Sequence, residues 1–147
     1  MVGITRNREI ADALIAGMAG ADLAFRMGHI PEAPISYYDT LNQLLYSPDV
    51  ILCQNLEEII IFANLAALDF FGRSTLGRPS IELVPNEAEL RRKRAEAFSK
   101  IIKTGVPESF EGSPRIRADG KIVPVSGYAF RYAIDREHYS IGAKLKP

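Results

Sequence analysis

From residue 108 onward the chain reads as three β-forming runs, and the clearest helix in the sequence stands directly before them. The runs cover residues 109–117, 121–132 and 138–146. Ala118-Asp119-Gly120 joins the first two. An Asp-Gly pair between strand patterns is a strong hairpin signal, because both residues tolerate the positive φ that tight turns need. Asp135-Arg136-Glu137 makes a second tight connection. Strands joined this closely must pair antiparallel, so the preceding helix has to pack on one face of their sheet.

That helix carries Leu90, Ala97, Phe98, Ile101 and Ile102 at helical spacing, with Arg94 as its one interruption. Asn86 is the expected N-cap, Glu87 and Glu89 suit the helix dipole, and Gly105 ends the run. The basic cluster Arg91-Arg92-Lys93-Arg94 spreads around the helix and reads as a solvated face rather than a nucleic-acid patch. Upstream, residues 49–54 and 58–63 form two further strand patterns around an Asn55-Leu56-Glu57 turn. Residues 64–71 have helical spacing closed by Gly72, and residues 74–84 are irregular. A short helix is expected over residues 37–46, ended by Ser47-Pro48-Asp49.

At the N-terminus, Ile10, Leu14, Met18, Ala21 and Phe25 give residues 7–27 the rhythm of an amphipathic helix. It packs on its own domain or forms a dimer. Gly28 and the Pro31–Pro34 stretch follow, so a boundary is placed near residue 34. The expected organisation is a helical extension and linker over 1–34 and a compact domain over 35–147. The fold class is α+β: a five-stranded antiparallel sheet with helices on one face, preceded by the N-terminal helix.

Eighteen basic and eighteen acidic residues cancel, so no overall field favours nucleic acid or an acidic membrane. No apolar run is long enough for a bilayer span, and the charged N-terminus is unlike a secretory signal. A single cysteine, Cys53, rules out an internal disulfide framework and agrees with a cytoplasmic location.

This order of elements, with these residues at its joints, resembles the PAS fold. Residues 59–72 look like the PAS pattern of a strand running into N-x-A-x-x-x-x-F-G, here Asn64, Ala66, Phe71 and Gly72. Leu76-Gly77-Arg78, the long helix ending at Gly105, and Arg117-Ala118-Asp119-Gly120-Lys121 match the later joints. Leu45 to Leu52, Arg78-Pro79-Ser80 and the helix over 87–103 are similar to the PAS-related MEKHLA domains. The aromatic residues usual in that group's later strands are here only Tyr128 and Phe130. The resemblance implies a sensor or protein-interaction module, often dimeric through a helix before the core.

Chemical signatures are few. PAS domains that bind haem through a histidine place it on the long helix, whereas His29 and His138 lie elsewhere. Light-sensing LOV domains need a cysteine within N-C-R-F-L-Q, whereas Cys53 sits in Leu52-Cys53-Gln54 on a strand. Haem and LOV-type flavin are therefore not supported, and Cys53 reads as a buried, inert residue. No metal spacing, phosphate loop or nucleophile elbow appears, so no catalytic residue is assigned. What remains is a cavity between the sheet and the helices. Its expected lining is Phe62, Phe71, Leu83, Phe98, Ile102, Val125, Tyr128 and Phe130, with Asn64 and Ser126 as polar contacts. A one-residue change of strand parity would swap the inward set. Gly127 and Ala129 are small enough to leave room over the sheet. The expected function is a sensory domain that holds a small apolar or aromatic ligand and acts through dimerisation or a partner protein. The alternatives are a ligand-free protein-interaction module and, less favoured, a small enzyme.

Overall fold

The computed structural model describes residues 44–133 and 139–147. The N-terminal helix, the linker, His29, residues 37–43, the Asp135–Glu137 turn and His138 lie outside the described residues. Strands β1 (Val50–Gln54) and β2 (Ile60–Ala63) are followed by helix α1 (Leu65–Phe71), a 3-10 turn (Ser80–Leu83) and the long helix α2 (Ala88–Thr104). Strands β3 (Glu108–Ile116), β4 (Ile122–Ala133) and β5 (Tyr139–Lys146) complete the chain. They form one five-stranded sheet in the order β2-β1-β5-β4-β3. Every neighbouring pair is antiparallel.

The meander read from the tail thus forms the larger part of the sheet, and β1 docks on its last strand with Val50 opposite Leu145. Alternation along each strand sorts the side chains onto two faces. One face carries Val50, Leu52, Ile60, Ala63, Val125 and Leu145, packed against Ala67 and Phe71 of α1 and Leu83 of the 3-10 turn. A second cluster joins Ile101 of α2 to Ala129 and Ile141. Both described helices therefore lie on this inner face. The outer face carries Ile51, Cys53, Tyr128, Phe130 and Tyr132, none more than 2% exposed within the single chain.

Several joints differ in detail from the sequence expectation. Helix α2 begins one residue later, with Glu87 rather than Asn86 in the extended capping position and no side-chain cap bond. Arg91 braces this end instead, donating to the carbonyls of Val84 and Pro85 at 3.2 and 3.3 Å. In the β3–β4 turn only Gly120 takes a positive φ, while the Asp119 carboxylate accepts from the Lys121 N–H at 3.0 Å. One left-handed position suffices because the connection is a longer loop than a two-residue turn. The β1–β2 turn runs on to Glu58, which adopts φ 62°, so β2 starts later than expected.

Candidate functional site

A cavity of about 60 Å³ lies between the inner face and the helices. Leu52, Ile60 and Leu145 line it from the sheet, with Phe71, Leu83 and Phe98 across from them. It continues into a groove of about 380 Å³ between α2 and β3, and Arg94, Phe98, Phe110 and Arg115 border both. The two guanidiniums, with Gln54 and Ser80, thus supply the polar part of a largely apolar cavity lining.

Arg94 is the interruption in the apolar stripe of α2. Its position on that stripe turns it inward, leaving the side chain 10% exposed. Nη1 meets the Glu58 carboxylate at 3.1 Å, and Nη2 donates to Ser80 Oγ and, at 3.5 Å, to Gln54 Oε1. Ser80 Oγ in turn donates to Gln54 Oε1 at 2.7 Å. The guanidinium also lies 4.2 Å over the Phe98 ring, a cation–π contact. Burial lowers its pKa from the ordinary value, and Glu58 partly restores it. The solvated-face reading holds for Arg92, which pairs with Glu89 at 2.6 Å and with Glu96, but not for Arg94.

Arg115 reaches the cavity through a bulge. Phe110 pairs with Gly127 and Ser113 with Val125, so β3 carries one residue more than β4 between those points. Gly112 takes φ 62° there, and its N–H donates to Ser126 Oγ at 3.1 Å. An extra residue reverses the alternation beyond it. Phe110 and Arg115 then both face inward, the guanidinium 5.5 Å from the Phe110 ring. Burial, reinforced by the positive charge of Arg94, brings the Arg115 pKa down to about 10.

The structure brings together three of the residues read from sequence as lining the cavity: Phe71, Leu83 and Phe98. Val125 lies in the inner core beside them without bordering the space. Ile102 is 37% exposed and borders a separate hollow with Leu56 and Glu58. Tyr128, Phe130 and Ser126 point to the outer side of β4, because the odd-numbered residues Val125 and Ala129 face the helices. Phe62 joins them there, opposite Cys53. Asn64 is buried, but it is committed to backbone. Its Oδ1 accepts from the N–H groups of Ile51 and Ala67, both at 3.0 Å, and its amide donates to the carbonyl of Asp49 at 2.7 Å. It therefore caps α1 and ties it to β1.

Ala129 borders the cavity, whereas the room over Gly127 is filled by backbone: a Cβ there would stand 2.1 Å from the Lys144 carbonyl oxygen. Cys53 is buried, and burial pushes its thiol up to about 12, against a weaker opposing effect of its hydrogen bond with Tyr132. Among the described residues, no three His, Cys, Asp or Glu side chains gather as a metal site. No described helix is long and apolar enough to cross a membrane. The residues that sequence reasoning missed are Arg94, Arg115, Gln54 and Ser80. The break in the α2 stripe was a signal for Arg94, and Gly112 within a strand was one for the bulge.

Solved structures share this fold. The PAS domain of a Colwellia psychrerythraea protein matches with a TM-score of 0.61 and 14% identity, over 71% of this chain and 90% of that one. The PAS domain of a LuxR-family transcriptional regulator from Burkholderia thailandensis, in complex with ethanol, matches with a TM-score of 0.59 and 15% identity, over 76% and 96%. The PAS domain of nitrogen regulation protein NR(II) from Vibrio parahaemolyticus gives 0.56 and 11%, over 71% and 93%. No curated protein matches the chain by sequence. The model of the MEKHLA domain family matches residues 28–142. That match takes in well over half of the chain, which belongs to the MEKHLA family of PAS-related domains.

Proposed function

We propose that this domain is a small-molecule sensor that acts by binding rather than by catalysis. A ligand entering between the sheet and α2 shifts the packing of these elements, and the shift favours one state of a protein partner or of a homodimer. The observation that carries the reading is the cavity itself: apolar walls with a few convergent polar groups, the composition of ligand sites. The Burkholderia thailandensis PAS domain crystallised with ethanol supports the use of this fold for a very small ligand. A cytoplasmic location fits the single buried thiol.

The rival reading, a ligand-free interaction module, is favoured by the modest size of the closed space, about 60 Å³. Mass spectrometry of the protein under native and then denaturing conditions separates the two. The sensor reading expects an added mass that is lost on denaturation, on protein purified from cells or exposed to a cell metabolite extract. A bare mass under every condition would favour the interaction module. The same spectra report whether the chain is a dimer.

A further inference from the structure

Arg115 is a part-buried cation that no carboxylate among the described residues neutralises. Among the described residues its hydrogen bonds go only to Ser113 Oγ at 2.7 Å and the Pro114 carbonyl at 2.8 Å, both from Nη1. Nε and Nη2 hydrogen-bond to no described residue, and no carboxylate pairs with the group. Arg94, by contrast, has Glu58, Ser80 and Gln54. Glu108 and Glu111 border only the outer groove, and Glu108 is already paired with Lys100 at 3.1 Å. A second positive charge therefore stands close to Arg94, where the two repel. Withdrawing a charge from water without a partner is costly, and a cation held at the edge of a cavity is a candidate group for binding an anion. The apolar walls next to both guanidiniums require that this anion carry a hydrocarbon body.

We propose that the ligand is a short-chain monocarboxylate, its carboxylate held between Arg94 and Arg115 and its hydrocarbon body against Leu52, Ile60, Phe71 and Leu83. A guanidinium suits this role because its planar donors match a carboxylate. The cavity of about 60 Å³ limits the body to a few carbons unless α2 moves outward. This inference rests on the cavity's being the ligand site, and it adds the chemical class of what enters.

The test compares butyrate, 1-butanol and n-butylamine at equal ionic strength, read as shifts in Tm and as affinities by calorimetry. Butyrate should raise Tm, and the alcohol and amine should bind at least about tenfold more weakly, as expected when a charge-assisted contact is lost. Arg115→Gln should weaken butyrate at least about tenfold while raising the ligand-free Tm, because it removes the unpaired charge. On the wild-type chain, nuclear Overhauser contacts from the butyrate methyl group to Leu52 or Leu83 provide a readout independent of any variant. Butanol binding as tightly as butyrate would overturn the anionic ligand and leave the sensor reading standing. Butyrate binding that Arg115→Gln does not alter, or no contacts to those leucines, would overturn the assignment. If none of the three probes binds, the carboxylate proposal falls, and the native mass comparison decides the sensor reading separately.

Discussion

Single residues in this domain divide into those that hold the fold and those that face the cavity, and Asn64 shows the first kind. Its side chain satisfies the N–H groups of Ile51 and Ala67 and a carbonyl of Asp49 in a fully buried position. Asn64→Ala removes a cap and orphans a buried amide, so urea unfolding should show a loss of about 2–4 kcal/mol. Asn64→Asp should lose less at the cap while failing to donate to the Asp49 carbonyl. Cys53 gives a prediction in pH. Its folded pKa is raised from 9.0 to about 12, so its contribution is fully present below pH 9.0 and is lost as pH rises towards the folded value. Between about pH 8 and about pH 10.5 the wild type should lose about 2 kcal/mol more than Cys53→Ala. Equal losses in the two proteins would refute the buried, protonated thiol. Asn64 was legible as part of a motif, but its task was not. Backbone amides from two distant elements converge on it only once β1 and α1 are in place.

At the scale of elements, the helix and strand order was readable because each period is written in the sequence: the 3.6-residue stripe of α2, and the alternation and Asp-Gly turn of the meander. Facing was harder to read. A strand segment rich in apolar residues on both sides, such as Val125 to Phe130, carries no local sign of which side meets the helices. Tyr128 and Phe130 are as buried as Val125, yet they lie on the outer face. The bulge at Gly112 altered facing again, delivering Arg115 to the cavity. Two variants test this register. Gly127→Ala places a Cβ 2.1 Å from the Lys144 carbonyl oxygen and 3.0 Å from the Leu145 Cα, both backbone atoms. Thermal unfolding should show it destabilised by at least about 2 kcal/mol, because β4 and β5 must part to admit it. Ala129→Gly, on the cavity side, should cost only about 1 kcal/mol, the strand penalty of glycine with a little lost burial. A reversal of that ranking would contradict the assigned pairing of β4 with β5.

For the molecule as a whole, the sheet has two apolar faces, and only the inner one is covered by the described helices. The outer face is nonetheless buried within a single chain, from Ile51 to Tyr132. Methyl-labelled NMR during titration with small organic fragments tests whether the inner cavity is a small-molecule site. Shifts should concentrate on Leu52, Ile60, Leu83 and Leu145, with Ile51 on the outer face little affected. Fragments that at millimolar concentration leave those inner methyl groups unmoved, or that shift only the outer face, would contradict it.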